Sequence, residues 1–201
     1  MLVDVTTWYL EMLAPGQLRP ALSDNAKLVV TQAEVPSPEL NRFLYTSVGG
    51  DWYWLDRLDW TYSRWLDYLD RPELQTWVAY ISGTPAGYIE LESQPGNNVK
   101  IAYFGILPQF TGQRLGGHLL SVGVRQAWAM NARRVWLHTC NLDGPYALAN
   151  YQARGFEIYQ EETRSEEVPD KPIGPWLGAY RDRYSTPSDS ITAWLLPPKI
   201  L

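Results

Sequence analysis

A glycine-rich turn near the middle of the sequence has the composition of an anion-binding site. An apolar segment ending at Leu107-Pro108 is followed by Gly112, Gly116 and Gly117, and then by an apolar helical pattern. The first N–H groups of a helix have no intrahelical partner and lie at the positive end of the helix dipole. Glycine lets a ligand approach that backbone closely. The segment 103–120 therefore predicts a site for phosphate or diphosphate.

Two common phosphate-binding patterns do not fit this turn. Gly112 and Gly117 have the spacing of a nucleoside-triphosphate loop, but His118-Leu119 stands where that loop has a lysine and a serine or threonine. The dinucleotide pattern needs glycines in the order G-x-G-x-x-G, which this turn does not have. Neither class of nucleotide site is therefore predicted.

A third pattern fits, because residues 27–163 resemble the GCN5-related N-acetyltransferases in the order and spacing of their elements. The more specific half of the resemblance is the block 149–156, in which a tyrosine precedes Gly-Phe by four residues. The sequence looks closest to a bacterial-type branch of that family. The residues that match this branch are His138-Thr139-Cys140, Leu142-Asp143, Pro145, Ala147-Leu148, Tyr151 and Gly155-Phe156.

The turn departs from the family pattern Gln/Arg-x-x-Gly-x-Gly/Ala. Thr111, Arg114 and Gly116 occupy its three defined positions, and Gly116 alone matches. An arginine in place of glycine either strains the turn and obstructs phosphate, or turns its guanidinium outward to pair with a phosphate oxygen. We expect the second outcome, because Gly112 and Gly117 flank the change and the rest of the pattern is intact.

The resemblance implies transfer of an acetyl group from acetyl-CoA to a primary amine by direct attack. Such a reaction needs a neutral amine, a donor for the oxyanion and a proton for the departing thiolate. Tyr151 occupies the family's usual position for the thiolate acid, and the alternative is a tyrosine that only packs in the core. Backbone N–H near Ile106 is the expected oxyanion donor, since Pro108 cannot donate and ends strand pairing there.

Two side chains are candidates for accepting the amine proton. An alkylamine with a pKa near 10 is neutral in only about one molecule in a thousand at pH 7, so a base would help. Strand alternation places Glu90 on one face with Tyr88 and Glu92, and Glu90 is the candidate base unless that face is simply solvated. His138 is the second candidate, with a buried structural histidine as the alternative.

The resemblance also implies where the cofactor and the acceptor bind. An aromatic segment with interleaved carboxylates, 51–60, is expected to border the acceptor pocket, because rings and carboxylates attract a cationic amine. The acceptor-binding candidates are Trp52, Trp54 and Tyr103. The candidates for binding coenzyme A are Gly105, Ile106, Leu107, Gly112, Gln113, Arg114, Leu115, Gly116, Gly117 and Asn141.

The elements that position these residues are predicted from hydrophobic periodicity. Strands are predicted at 27–35, 75–82, 86–93, 99–107, 133–139, 156–163 and 190–196, and helices at 38–48, 61–69, 115–130 and 144–154. Asp143 is expected to cap the last helix, with Pro145 in its first turn. The implied fold is mixed α/β, a twisted and mostly antiparallel sheet with one splayed parallel strand pair and flanking helices.

One domain is expected over residues 1–201. Its parts are an N-terminal segment, 1–26, that packs on the body as a strand or helix, a core, 27–163, and a long connection with a final strand, 164–201. The 201 residues include 45% apolar side chains and carry a formal net charge of −5. That charge gives no general attraction to nucleic acid or anionic membrane.

Composition sets further expectations. Cys140 is the only cysteine, so no intramolecular disulfide is predicted, and direct transfer needs no cysteine nucleophile. No cluster of histidines and carboxylates has zinc spacing. No apolar run approaches the roughly 20 residues of a membrane span, so a cytoplasmic protein is expected.

Several alternatives stay open at this stage. A small-molecule or peptide amine is the expected acceptor, but its identity, the acyl chain length and the oligomeric state, including a homodimer, are not fixed by the sequence. The competing functions are a non-catalytic sensor of coenzyme A with the same fold and an acyltransferase that uses longer acyl donors.

Overall fold

Seven strands form one sheet, and four α-helices flank it, in the residues described by this computed structural model, which are 1–176 and 179. The strands are β1 (Leu2–Met12), β2 (Leu28–Gln32), β3 (Leu74–Ile81), β4 (Thr84–Gln94), β5 (Asn98–Ile106), β6 (Arg134–Cys140) and β7 (Glu157–Glu167). The helices are α1 (Pro38–Gly49), α2 (Tyr62–Leu69), α3 (Leu115–Ala129) and α4 (Ala147–Ala153). None of these described helices is long and apolar enough to cross a membrane.

The sheet has the strand order β2-β3-β4-β5-β6-β1-β7. Neighbouring strands are antiparallel except β5 and β6, which are parallel and are joined through α3. The parallel pairing is short, since only Asn98–Lys100 of β5 faces Arg134–Trp136 of β6. Beyond these residues the two strands separate. The expected mixed α/β fold with one splayed parallel pair is therefore confirmed.

The N-terminal segment is a strand inside the sheet rather than an element packed on its surface. β1 pairs with β6 from Thr7 to Met12 and with β7 from Leu2 to Glu11. The side chains of Leu10 and Met12 are completely buried in the main core. β1 therefore joins β7 to the rest of the sheet.

The helices cover the two faces of the sheet, and β4 shows how the sequence separates them. Ile89 and Leu91 belong to the core that contains α3 residues such as Leu120, whereas Tyr88 packs with Leu44 of α1. This arrangement follows the alternation of side chains along a strand. It confirms the predicted grouping of Tyr88, Glu90 and Glu92 on one face, the face of α1 and α2.

The start of α4 differs from its prediction. The helix begins after Tyr146, which provides no side-chain cap. Asp143 instead accepts hydrogen bonds from the Thr139 hydroxyl at 2.6 Å and from the Cys140 N–H at 3.1 Å. Short acidic side chains often bond nearby backbone in this way. Asp143 therefore stabilises the turn that follows β6, and the prediction that it caps α4 is wrong.

The chain after β7 returns toward α1. The Gly174 N–H donates to the carbonyl oxygen of Gly50 at 3.1 Å, and the Val168 N–H donates to that of Met1 at 2.9 Å. β7 extends four residues beyond its predicted end at Thr163. The predicted final strand, 190–196, lies outside the described residues.

Candidate active site

A cleft of about 1120 Å³ opens where β5 and β6 separate. The segment after α1 and the last residues of β5 form one wall, and β6 with α4 forms the other. The turn before α3 closes one end. Predicted site residues that line the cleft are Trp52, Trp54, Tyr103, Gly105, Ile106, Gly112, Arg114, Leu115, Gly116, Gly117, His138 and Tyr151.

The end of β5 presents free backbone groups to this cleft. The Leu107 N–H donates to the carbonyl oxygen of Ala86 at 2.9 Å, so it points toward β4. Successive N–H groups of a strand point to opposite edges. The Ile106 N–H therefore points away from β4, toward the gap left by β6. It is available to a carbonyl oxygen bound in the cleft.

The turn before α3 is exposed and contains two residues in the left-handed backbone region. Gly112 has φ 83° and Arg114 has φ 60°. Arg114 is the N-cap of α3 and its side chain makes no capping hydrogen bond. A non-glycine residue in this conformation costs about 1 kcal/mol. Both consequences considered for an arginine here are thus present, since the backbone is strained and the exposed Arg114 lines the cleft.

Tyr151 extends from α4 into the cleft wall. Its side chain is 7% exposed and its ring meets Phe104 and Phe156 edge-on, at centroid distances of 5.9 and 6.3 Å. Burial raises the pKa of the Tyr151 hydroxyl well above its ordinary value, and the charge of Asp143 adds to this effect. The hydroxyl therefore stays protonated at neutral pH and is a proton donor.

Glu90 does not reach the cleft. Its side chain is completely buried, and its Oε1 and Oε2 accept hydrogen bonds from Arg57 at 2.8 and 3.1 Å. The Tyr68 hydroxyl donates a further bond to Oε1 at 2.6 Å. A buried carboxylate that already accepts three hydrogen bonds is poorly placed to accept a proton from a ligand. This geometry disfavours the predicted role of Glu90 as general base.

Two aromatic residues of the predicted acceptor region, Trp60 and Tyr103, pack against Arg57 together with three rings that were not predicted there. The guanidinium carbon lies 4.2 to 6.0 Å from five ring centroids, within the range of cation–π attraction. The rings belong to Tyr45, Trp60, Trp65, Tyr68 and Tyr103. Part of the predicted aromatic group therefore holds a cation that belongs to the protein, whereas Trp52 and Trp54 are not among these five rings and line the cleft.

The acceptor end of the cleft contains three predicted aromatic residues. The Trp54 indole N–H donates to Asp143 Oδ1 at 3.4 Å, and its ring meets Tyr103 at a centroid distance of 4.9 Å. Trp52 lies beside Gly144. The Tyr103 hydroxyl donates to Asp56 Oδ2 at 3.2 Å. Asp56 is one of the carboxylates interleaved in the aromatic segment 51–60, which was expected to border the acceptor pocket.

His138 projects from β6 on the wall opposite this aromatic group. Its ring lies 5.9 Å from that of Tyr9. The His138 side chain is exposed to the cleft, yet partial desolvation by the surrounding walls, followed by the positive charge of Lys100, lowers its pKa. The imidazole is therefore neutral at pH 7 and keeps one nitrogen able to accept a proton.

Cys140 lies near His138 and is a poor nucleophile. Burial raises the pKa of its thiol, and the negative charge of Asp143 raises it further. Since the thiolate is the reactive form, the protonated side chain is inert at neutral pH.

Three residues predicted to bind the cofactor do not line the cleft, because their side chains pack or form hydrogen bonds within the protein. The Leu107 side chain is buried in the core beneath α1. The Gln113 amide donates to the carbonyl oxygen of Gln109 at 3.2 Å. Asn141 accepts from the Thr6 N–H and donates to the carbonyl oxygen of Asp4, each at 3.0 Å. Asn141 therefore holds β1 against the end of β6.

Sequence comparison identifies the family to which this chain belongs. The sequence model described as "Acetyltransferase (GNAT) family" matches residues 39–156, more than half of the chain. The chain therefore belongs to the GNAT acetyltransferase family, whose members use acyl-CoA as the acyl donor. No curated protein matches the sequence.

Solved structures of this family have the same fold at low sequence identity. A GCN5-related N-acetyltransferase from Kribbella flavida has a TM-score of 0.60 and 17% identity, over 84% of this chain and 61% of that one. A second, from Sphaerobacter thermophilus, has a TM-score of 0.60 and 14% identity, over 85% and 54%. The chain thus spans less than two thirds of the length of these relatives.

An aminoglycoside acetyltransferase from an uncultured soil metagenomic sample has a more similar length. Its structure has a TM-score of 0.57 and 14% identity, over 73% of this chain and 97% of that one.

Proposed function

We propose that this protein transfers an acetyl group from acetyl-CoA to a primary amine by direct attack. The observation that carries the proposal is that one cleft joins the exposed turn before α3, the free edge of β5 and Tyr151. These parts answer the three needs of the reaction, which are phosphate binding, oxyanion stabilisation and protonation of the leaving thiolate.

The N–H groups at the start of α3 bind the diphosphate, and the free backbone groups of Phe104 and Ile106 bind the pantetheine arm. The thioester carbonyl then accepts a hydrogen bond from the Ile106 N–H, which stabilises the negative charge that develops as the amine attacks. Tyr151 donates a proton to the thiolate of coenzyme A when the carbon–sulfur bond breaks. The products are an N-acetylated amine and coenzyme A.

The proton lost by the amine goes to His138, directly or through water. The neutral imidazole on the cleft wall supports this assignment over Glu90, whose carboxylate is already bonded to Arg57 and Tyr68. Glu90 then has a positioning role, since it holds Arg57 beneath the acceptor end of the cleft.

Release of free thiol from acetyl-CoA in the presence of a panel of primary amines tests the proposal. We expect amine-dependent thiol release and an N-acetylated product of the corresponding mass. Thermal stabilisation by acetyl-CoA without thiol release from any amine would contradict the proposal and favour a non-catalytic sensor, which the strained backbone at Arg114 also supports.

A further inference from the structure

The carboxylate of Asp56 is held at the acceptor end of the cleft by a neighbouring phenol. The Tyr103 hydroxyl donates to Asp56 Oδ2 at 3.2 Å, and both residues line the cleft. Asp56 is exposed, and within the described residues it forms no ion pair. One of its oxygens, Oδ1, is free to bind a ligand.

Buried contacts behind Tyr103 fix the position of this carboxylate. The Arg57 guanidinium carbon lies 4.2 Å from the Tyr103 ring centroid. The same guanidinium makes the two-point ion pair with Glu90 on β4. Arg57 directly follows Asp56 in the chain, so the ion pair also anchors the backbone that carries Asp56. The carboxylate is thus supported through both its hydrogen bond and its backbone.

Asp56 is bonded to Tyr103 of β5 and lies too far from Ile106 to touch the nitrogen that attacks the thioester. Tyr103 precedes Ile106 by three residues, and a strand rises by about 3.3 Å per residue, which separates their backbones by roughly 10 Å. Side chains stand nearly perpendicular to the strand, so the Tyr103 hydroxyl does not shorten this separation greatly. A group bound by Asp56 therefore lies several bonds from a nitrogen that reacts beside Ile106.

The charges around Asp56 favour a cationic group at this position. Glu92 is neutralised by Arg71 at 2.7 Å, and Arg57 is neutralised by Glu90 at 2.8 Å. Lys100 also lines the cleft and contributes one positive charge, although burial lowers its pKa. Besides Asp56, the carboxylates of Asp143, Glu166 and Glu167 line the same cleft, so acidic side chains there outnumber Lys100 and Arg114.

We propose that the acceptor carries a second cationic group, which Asp56 binds while the first amine reacts near Ile106. The acceptor class is therefore a diamine or a larger polyamine, and Asp56 determines the preference for it. This inference rests on the proposed acetyl transfer to amines. It adds a length requirement, since the two nitrogens must span the distance between Asp56 and the Ile106 N–H.

A length series of acceptors tests this inference. Acetyl transfer is measured with unbranched α,ω-diamines of increasing length and with n-alkyl monoamines of the same lengths. We expect kcat/KM to be higher for the diamines and to peak at one length. Asp56→Asn should lower kcat/KM for the best diamine on the order of tenfold, mainly through KM, and leave the monoamine nearly unchanged.

Asp59→Asn is the matched control, because Asp59 is an exposed carboxylate in the same segment that does not line the cleft. It should change neither acceptor series. The KM for acetyl-CoA should stay the same in both variants, and equal melting temperatures would exclude a folding defect in Asp56→Asn.

Three results would overturn the inference alone: equal efficiency of the wild type with monoamines and diamines, an equal loss on both series in Asp56→Asn, or no loss at all. Absence of thiol release from the wild type with every amine would overturn the proposed function, and this inference with it.

Discussion

Arg57 and Glu90 form a two-point ion pair in the interior of the protein. Their nitrogen–oxygen distances are 2.8 and 3.1 Å, and both side chains are at least nine-tenths buried. A buried pair contributes little compared with well-packed apolar residues, but loss of one partner leaves an isolated charge in a medium of low dielectric constant. The pair therefore holds the segment after α1 against β4.

Removal of the negative charge of Glu90 should destabilise the fold. We expect Glu90→Gln to lower the free energy of unfolding by about 3 kcal/mol, because the charge of Arg57 stays buried without its counterion. Urea unfolding followed by tryptophan fluorescence measures the change. The matched control is Glu92→Gln, whose partner Arg71 is partly exposed, and its effect should stay below about 1 kcal/mol.

The same variant separates a positioning role from a catalytic one. If Glu90 positions Arg57, replacing both residues by methionine should cost less stability than Glu90→Gln alone, because no charge is then left unpaired. A Glu90→Gln protein with wild-type stability and a large loss of kcat would contradict this account and restore Glu90 as the base.

Glu90 also shows how far the sequence could predict the site. Alternation along β4 assigned it to the correct face, since that pattern is local. Its partner Arg57 is 33 residues away in an irregular segment, and no periodicity links two such positions. Asp143 was mispredicted for a different reason: its short side chain had local donors on both sides and bonded to Thr139 and Cys140 at the end of β6 rather than to α4.

The fold was predictable where buried faces repeat regularly. The strands and helices between β2 and α4 follow periods of two and 3.6 residues, and their bounds mostly agree with prediction within two residues. β1 was left open between strand and helix, because its identity depends on pairing with β6 and β7, which are more than 120 residues away. Long-range pairing of this kind has no local pattern in the sequence.

Tyr151→Phe should slow acetyl transfer without weakening the fold. The substitution removes the proton donor for the thiolate, and we expect kcat to fall by at least about tenfold. The ring contacts with Phe104 and Phe156 remain, so the melting temperature should change little. Because burial holds the pKa of Tyr151 well above 10, the wild type should show no alkaline loss of activity from this group below pH 10.

Steady-state thiol release and thermal unfolding of the same preparation check this prediction. Phe104→Leu is a useful comparison, since it disturbs the packing around Tyr151 but keeps its hydroxyl. Unchanged kcat in Tyr151→Phe would remove the hydroxyl from the mechanism.

Arg114→Gly should separate the two effects expected of this arginine. Glycine adopts the left-handed backbone freely, but it also gives the unfolded chain more freedom. These effects oppose each other, so the free energy of unfolding should change by less than about 1 kcal/mol. If the guanidinium pairs with a phosphate oxygen, the KM for acetyl-CoA should rise several-fold.

The salt dependence of KM adds a second readout, because an exposed ion pair with phosphate is screened by salt. The KM of the wild type should rise with ionic strength more steeply than that of Arg114→Gly. Arg114→Lys, which keeps the charge but not the fork of donors, should give intermediate values. A lower KM in Arg114→Gly would instead mean that the side chain obstructs the phosphate.

His138 should set the acid limit of activity. Partial desolvation and Lys100 lower its pKa below the ordinary value of 6.5, so the imidazole stays neutral until the pH falls below that value. Only then is it protonated and unable to accept a proton from the amine. With an amine weak enough to remain neutral across the pH range, kcat/KM should therefore be constant near pH 7 and fall with an apparent pKa below 6.5.

His138→Gln should lower kcat/KM on the plateau and abolish the acid step. Lys100→Met should move the step to higher pH, because it removes a positive charge that disfavours protonated imidazole. An acid step that persists unchanged in His138→Gln would assign the titration to another group.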